Sequence, residues 1–309
     1  MNSAAEGHRV VVVIVNYRSE RYLRALLVSL MDSAGPGIEL EVILWDNGSP
    51  DGEGERLTSL AIEFGNVRVL VSPLNLGFGA AVNAAVRETE LGGDDLLWVL
   101  NPDTVLKEHC LQRMVRWVEE SSAQALSPVI EYPDGSTWFA GGYVHRGTAS
   151  VGHMGAFYGS EPFEADYLTG AAPMFSGAAW RALGGFDERF FMYWEDVELS
   201  IRARRKGIRL WVVPTARVTH DVGGSGRGIG GVGKSVHYYY YMSRNRFLTF
   251  SVSVVGRLWI AGISALSSGR MLVRALRERD EASGKALAVL EGVMDGVRGR
   301  TGARRVVDD

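Results

Sequence analysis

The sequence predicts an open α/β fold: a Rossmann-like, mostly parallel sheet flanked by helices, followed by a helical C-terminal tail. Three observations lead to this prediction. Apolar runs and helical patterns alternate through the first third of the chain, the apolar runs are continuous, and a polar residue follows each of them. Continuous apolar strands are typical of a parallel sheet buried on both faces. The intervening helices supply the crossovers that parallel strands require.

The predicted elements follow one another closely. Residues 10–15 are all Val or Ile, and such a β-branched run predicts the first strand. Leucines recur at helical spacing over residues 20–30, which predicts the first helix. The same patterns then predict, in order, a strand at 41–45, a helix at 52–64, a strand at 67–70, a helix at 79–89 and a strand at 96–100.

The rest of the chain is less regular. The middle third is richer in glycine and aromatic residues, and we interpret it as the second half of the same domain. A helix is predicted to end near residue 205, a strand to cover 210–220, and a glycine-rich loop to cover 223–233. From about residue 268 the pattern is helical, with basic residues near the end.

Composition excludes several classes of protein. The chain has 309 residues, enough for one large α/β domain with a tail, and its net charge of −3 argues against a nucleic-acid-binding protein. The single cysteine, Cys110, rules out a disulfide within the chain and fits a reducing compartment. The apolar run at 10–15 is too short for a signal-peptide core or a membrane span, and the longer apolar segment 247–266 is interrupted by Arg257 and by several Ser and Gly residues. A cytoplasmic protein is therefore expected.

Polar side chains follow each of the first four predicted strands. They are Asn16, Asp46, Asn75 and Asp103. In open parallel sheets, ligands bind at the carboxyl ends of the strands, where these residues are expected to meet. Asp46 begins an Asp-Asn-Gly-Ser sequence, and its carboxylate is suited to accept an N–H from a pyrimidine base. A turn followed by a helix cap explains the same four residues.

An Asn-Pro-Asp sequence, Asn101 to Asp103, comes directly after the fourth strand. A carboxylate there can hold a hard divalent cation against a diphosphate, which itself supplies further oxygen ligands. An Asx-Pro turn is the alternative interpretation. His220, at the end of the strand at 210–220, is a candidate for completing this metal site as a neutral imidazole, although a lone histidine is more often structural.

Three acidic residues stand beside four aromatic ones in the segment 190–198: Glu195, Asp196 and Glu198. A carboxylate at a helix start beside apolar rings is suited to act as a general base toward a hydroxyl. The alternative is a helix N-terminus enriched in acids that complement its dipole. Helical spacing also allows Glu198 to pair with Arg202.

Residues 228–235 match the phosphate-binding pattern G-x-x-x-x-G-K-S. This match makes a P-loop NTPase the main competing hypothesis. Its context is poor, because the preceding strand is expected to end near His220 and only helices are predicted afterwards. A loop that closes over a diphosphate is a better interpretation.

Taken together, these motifs resemble family-2 inverting glycosyltransferases of the GT-A fold, in the rhamnosyltransferase-like branch. The resemblance covers about residues 9–250. It is carried by the following motifs in this order: residues 13–17, Asp46 to Ser49, Asn75 to Gly79 with Asn83, Asn101 to Asp103, Gly184 to Glu188, and Tyr193 to Glu198.

The resemblance implies a role for each motif. Asp46 would bind the base, Asp103 and His220 a divalent cation (Mg²⁺ or Mn²⁺), and Asp196 would be the catalytic base, with Glu195 as its competitor. The donor site would include Asn16, Asn75, Gly77 and Asn101, with Arg244 facing the diphosphate. The family's usual Asp-x-Asp motif begins here with Asn101. An inactive sugar-nucleotide-binding subunit therefore remains an alternative.

The resemblance also implies the division of the chain. Residues 1–104 would form the nucleotide-sugar-binding half, residues 105–250 the acceptor and catalytic half, and residues 251–309 a helical tail. A dTDP- or UDP-sugar is the expected donor, with dTDP-L-rhamnose favoured. The acceptor would be a lipid-linked saccharide, a polysaccharide or a metabolite.

The role of the tail stays open at this point. The apolar segment 247–266 and the basic residues after it fit a peripheral contact with the inner face of the cell membrane. Packing on the domain or formation of a homodimer are the alternatives.

Overall fold

The protein is described by a computed structural model, which covers residues 7–155, 159–221, 233–251, 254–278 and 280–304. Ten strands of this part of the chain form one mixed sheet, and two more form a separate hairpin. The strands are β1 (His8–Asn16), β2 (Ile38–Asp46), β3 (Val67–Val71), β4 (Leu96–Leu100), β5 (Thr104–Leu106), β6 (Ala125–Glu131), β7 (Thr137–Phe139), β8 (Gly142–His145), β9 (Ser150–His153), β10 (Phe163–Glu164), β11 (Met174–Ser176) and β12 (Leu210–His220).

The sheet has the order β3-β2-β1-β4-β11-β6-β12-β10. The first four strands in this order pair in parallel, as do β6 and β12, whereas β11 runs antiparallel between β4 and β6. The predicted α/β fold with a mostly parallel sheet is therefore confirmed. The short strands β5 and β11 were not predicted, because three residues are too few to show a period.

Helices cover both faces of the sheet. They are α1 (Glu20–Ser33), α2 (Glu53–Ile62), α3 (Phe78–Arg87), α4 (Cys110–Ser121), α5 (Gly177–Leu183), α6 (Glu195–Arg205), α7 (Val236–Phe250), α8 (Val254–Arg277) and α9 (Ala282–Arg298), with a 3₁₀ turn at Arg146–Thr148. Alternate residues of β1 enter opposite cores: Val10 and Val12 pack with α1 and α4, Val11 and Val13 with α3 and α5. This two-sided burial explains why the strand is continuously apolar.

The C-terminal helices build outward from α7. Most of the side chains of α7 are buried, and α9 and α8 pack against it. The prediction that this region is helical is thus confirmed, and the inner faces of α8 and α9 serve packing. In the described part of the chain, no helix combines the length and the apolar character needed to cross a membrane.

Candidate active site

A cavity of about 450 Å³ opens at the carboxyl ends of the central strands. This is where the alternation of strands and helices predicted a ligand site. Its walls come from the loops after β1, β2, β3 and β4, from β9, from the start of α6 and from α7. Six of the predicted site residues line it: Asn75, Asn101, Asp103, Glu195, Asp196 and His220.

Two asparagines join the loops after β2 and β3 at the cavity. The Asn47 side-chain amide donates to Asn75 Oδ1 at 3.0 Å and to the Gly77 carbonyl at 3.3 Å, and its oxygen accepts from Leu76 N at 3.0 Å. Asn75 Oδ1 also accepts from Gly77 N at 2.9 Å. Because Asn47 lines the cavity and fixes the neighbouring loop, it belongs to the site, although the sequence singled out only Asp46 beside it.

Asn16 and Asp46 lie behind this wall. Asn16 Nδ2 donates to Asp46 Oδ1 at 3.1 Å and to Glu53 Oε1 at 3.0 Å, and both asparagine and aspartate are at most 1% exposed. Glu53 Oε1 also accepts from the backbone N–H groups of Ser19 and Glu20. A buried carboxylate with several N–H donors is well satisfied, so Glu53 holds the loop after β1 in place. Sequence patterns gave no sign of this role.

Gly77 is required by a close approach of two backbones. It has φ +83°, and a Cβ at this position would lie 2.2 Å from the Phe191 carbonyl oxygen. The next residue, Phe78, donates its N–H to that same oxygen at 2.8 Å. The loop after β3 and the loop before α6 are therefore joined at Gly77, which lies outside the cavity wall.

Asp103 and His220 are brought together by strand pairing. His220 lies opposite Thr104 where β12 pairs with β5, and this register places His220 Nε2 3.0 Å from Asp103 Oδ1. Both residues are 5% exposed, and Asn101 Nδ2 lies 3.5 Å from the same ring nitrogen. The Trp138 and His220 rings pack in a T-shaped arrangement, with their centroids 5.0 Å apart and an angle of 79° between their planes.

This pair fits two ligands of a divalent cation. An imidazole nitrogen and a carboxylate oxygen are suitable donors, and a separation of 3.0 Å allows both atoms to contact one ion. Among the residues described, no cluster of three or more His, Cys, Asp or Glu side chains could hold a metal. The oxygens of a diphosphate and water molecules are suitable further ligands.

The carboxylates of Glu195 and Asp196 differ in environment. Asp196 accepts from Gly170 N at 2.9 Å and from Val197 N at 2.8 Å, and both are donors that favour the charged form. Glu195 is 6% exposed, and its Oε2 has no hydrogen-bond partner among the described residues. Burial and the Asp196 charge raise the pKa of Glu195 to about 8.

Burial also raises the pKa of Asp196, and the two backbone N–H groups oppose that shift. The two N–H donors to Asp196 and the Oε2 of Glu195, unpartnered within the described chain, together favour the negative charge of the pair on Asp196 and the proton on Glu195. His153 lines the cavity near these acids, and burial lowers its pKa, which favours a neutral imidazole. His153 was not predicted, because its hairpin shows no distinctive pattern.

Arg244 lies outside the cavity. Its side chain is 0% exposed, donates to the Gly302 carbonyl at 2.6 Å, and packs against the rings of Tyr240 and Tyr241. The structure thus does not bring this arginine to the place that the resemblance implied. The structure does not describe residues 222–232, which contain most of the glycine-rich loop predicted at 223–233 and most of the pattern at 228–235. Ser235, the last residue of the pattern, caps α7 by accepting from Tyr238 N at 3.2 Å.

Comparisons with known proteins identify the family of the chain. Residues 11–178 match the family model for glycosyl transferase family 2. A Mycobacterium tuberculosis protein, N-acetylglucosaminyl-diphospho-decaprenol L-rhamnosyltransferase, is 32% identical over 68% of this chain and 75% of its own length. The Haloferax volcanii low-salt glycan biosynthesis hexosyltransferase Agl10 is 27% identical over 94% of this chain and 92% of its own.

A solved structure shows the same fold. The mannosyltransferase PcManGT from Pyrobaculum calidifontis, in complex with GDP-Man and Mn²⁺, superposes with a TM-score of 0.59 over 94% of this chain and 87% of its own, at 14% identity. The comparisons give no support to a P-loop NTPase. The chain belongs to glycosyl transferase family 2, and it is a nucleotide-sugar-dependent glycosyltransferase of the GT-A fold.

Proposed function

We propose that this glycosyltransferase transfers L-rhamnose from dTDP-L-rhamnose, with inversion, to a hydroxyl group of a lipid-linked saccharide. The observation that carries the proposal is that the Asp103–His220 pair and the Asp196 carboxylate line one cavity. The similarity to the M. tuberculosis rhamnosyltransferase supports the choice of sugar and of a lipid-linked acceptor.

Asp196 acts as the general base of the proposed reaction. Its carboxylate takes the proton of the acceptor hydroxyl, whose oxygen attacks the anomeric carbon from the face opposite the nucleotide. The two N–H donors on Asp196 fix the direction of its oxygens. One displacement inverts the anomeric centre. Glu195, protonated and buried beside it, limits the negative charge near the acceptor.

Asp103 and His220 would hold the divalent cation. The bound cation supplies positive charge that stabilises the departing nucleoside diphosphate. The P. calidifontis neighbour was solved with Mn²⁺, which supports a cation in this fold. Asn101, which is near His220 in the same wall, takes the place of the family's usual first aspartate and is suited to hydrogen-bond donor oxygens.

The donor half, residues 1–104, would bind the nucleotide. Asn47 and Asn75 face the cavity, whereas Asn16, Asp46 and Gly77 support them from behind. The contribution of Asp46 to base recognition would then act largely through the loop that it fixes. Residues 105–250 would supply the acceptor side, with the Trp138 ring and His153 in the cavity wall.

A donor panel tests the sugar. Purified protein is incubated with dTDP-L-rhamnose, UDP-glucose, UDP-N-acetylglucosamine and GDP-mannose, each with Mn²⁺, with Mg²⁺ and with EDTA, and products are detected by mass spectrometry. We expect dTDP-L-rhamnose to be consumed fastest, and only with a cation. Preferential use of a UDP- or GDP-sugar would overturn the donor, and equal turnover in EDTA would overturn the cation. No donor consumption at all would favour the inactive subunit.

A face of α8 supports a peripheral membrane contact. The helix has four arginines and neither Asp nor Glu. Its exposed apolar side chains are Val255, Leu258, Trp259, Leu266, Val273 and Leu276. Apolar side chains beside arginines fit the boundary of an anionic bilayer, where each basic residue near the surface contributes about 1 kcal/mol. Such a contact would bring the cavity to a lipid-linked acceptor.

Liposome co-sedimentation tests this contact. We expect binding to vesicles of phosphatidylcholine with phosphatidylglycerol, weaker binding to phosphatidylcholine alone, and loss of binding in Trp259→Glu. Ile62→Glu is the matched control, because Ile62 is also an exposed apolar residue, on α2. Equal vesicle binding by Trp259→Glu and Ile62→Glu would contradict the membrane contact. A concentration-dependent dimer that buries α8 would contradict it as well.

A further inference from the structure

The loop that leads into α6 has an unusual backbone. Tyr193 and Trp194, the two residues before the helix, have φ +66° and +75°. The left-handed region is unfavourable for bulky residues, and such conformations persist only where the surrounding structure holds them. Asp196 lies two residues after Trp194, in the first turn of α6. The position of the base therefore depends on whatever holds these two residues.

Asn245 on α7 contacts this loop. Its Nδ2 donates to the Met192 carbonyl and to the Tyr193 carbonyl, both at 2.8 Å, and the asparagine is 0% exposed. Both N–H bonds of the amide are thus used on consecutive carbonyls of the strained segment. Buried carbonyl groups require hydrogen-bond donors, and the Asn245 side chain supplies them for these two carbonyls while the loop has its left-handed backbone.

Arg244 fixes the direction of that amide. Its Nε donates to Asn245 Oδ1 at 2.7 Å, so the amide oxygen faces the guanidinium and the amide nitrogen faces the carbonyls. Arg244 in turn donates to the Gly302 carbonyl, and Gly302 donates its N–H to the Arg189 carbonyl at 2.8 Å. These hydrogen bonds form a closed path. It runs from residues 192–193 through Asn245 and Arg244 to Gly302, and returns to Arg189 in the same segment before α6.

We propose that Asn245, oriented by Arg244 and the turn at Gly302, is a positioning residue that holds the loop before α6 in its left-handed form and so places Asp196 for catalysis. The role is distinct from the diphosphate contact that the resemblance implied for Arg244. It deepens the proposed function, on which its kinetic test rests, but the loop conformation itself can be measured without any substrate.

Asn245→Ala removes both donors and leaves the cavity lining unchanged. We expect kcat to fall by about 10²-fold, because small misplacements of a catalytic group have costs of this size, while the Kd of the donor stays within about threefold. Without substrate, amide hydrogen exchange in a peptide covering residues 189–196 should become faster. Asn66→Ala is the matched control, because Asn66 Nδ2 donates to the Leu40 carbonyl at 3.1 Å far from this loop.

A second substitution separates positioning from general destabilisation. Asparagine tolerates the left-handed region better than tyrosine, so adding Tyr193→Asn to Asn245→Ala should raise kcat about fivefold over Asn245→Ala alone. Unchanged exchange at 189–196 in Asn245→Ala would overturn the proposal whether or not a donor is known. Equal losses of kcat in Asn245→Ala and Asn66→Ala would overturn it too. Absence of wild-type turnover with every donor would instead count against the proposed function.

Discussion

His220 Nε2 lies 3.0 Å from Asp103 Oδ1, although the two residues are far apart in the sequence. The antiparallel pairing of β5 with β12 creates this contact, since it sets Thr104 opposite His220. Two candidate metal ligands of different chemistry are thus held by backbone hydrogen bonds of a sheet, which leaves little freedom in their separation.

The first prediction concerns these two ligands. Asp103→Ala should lower kcat at least about 10²-fold at saturating Mn²⁺, because the carboxylate is the only charged ligand that we assign to the chain. His220→Ala should raise the cation concentration needed for half-maximal rate by about tenfold or more. Turnover is measured across a Mn²⁺ titration, with the exposed His109→Ala as control. Unchanged cation dependence in both variants would remove them from the metal site.

The second prediction decides between the two neighbouring acids. Asp196→Asn keeps the size of the side chain but removes its basicity, so kcat should fall by about 10²–10⁴-fold while donor affinity, read by calorimetry, survives. Glu195→Gln should retain most of the activity at neutral pH, because the amide resembles the protonated acid. Glu198→Gln, whose carboxylate pairs with Arg202 at 2.6 Å, is the control on the same helix. The reverse order of losses would assign the base to Glu195.

The third prediction concerns stability against pH. In the folded protein the pKa of Glu195 is raised to about 8, above its ordinary value of 4.5. Between these values the folded state binds the proton and the unfolded state does not, so stability falls as the pH rises. The slope is about 1.4 kcal/mol per pH unit for one full proton. In thermal unfolding, the Tm of Glu195→Gln should rise relative to that of the wild type between pH 5 and pH 8. A Tm difference that stays constant over this range would contradict the raised pKa.

The fourth prediction separates close packing from backbone strain. Gly77 and Gly135 share φ +83°, but a Cβ at Gly77 would clash with the Phe191 carbonyl, whereas nothing lies within 4 Å at Gly135. Gly135→Ala should lower the free energy of unfolding by about 1–2 kcal/mol with normal turnover. Gly77→Ala should lower it further and also reduce kcat, because it displaces the loop before α6. Similar kcat values for the two variants would show that this contact is not needed.

The sequence predicted the part of the fold that has a strong period. The central residues of β1, β2 and β4 are apolar on both faces because helices cover both sides, and their burial is visible as unbroken apolar runs at 10–15, 42–45 and 96–100. Asp103 was predicted at the cavity because a strand end fixes its place. The identity of the donor and the roles of the site residues were implied by resemblance and remain proposals.

Contacts between distant segments could not be predicted in this way. Asn245 donates to two backbone carbonyls about fifty residues earlier in the chain, and backbone groups leave no mark in the sequence. Glu53 is similar, since two of its donors are the N–H groups of Ser19 and Glu20. Arg244 was placed at the diphosphate by resemblance, whereas the fold surrounds its charge with tyrosine rings.

The bonds of Gly302 to Arg189 and Arg244 have a consequence for the order of synthesis. A ribosome makes the sheet, both metal-ligand candidates and Asp196 long before it reaches Gly302. Gly302 can donate to the Arg189 carbonyl and accept from Arg244 only after α9 has left the exit tunnel. On a nascent chain, the segment before α6 can therefore gain its hydrogen bonds from Asn245 earlier than the one from Gly302, and the path through Arg244 closes last.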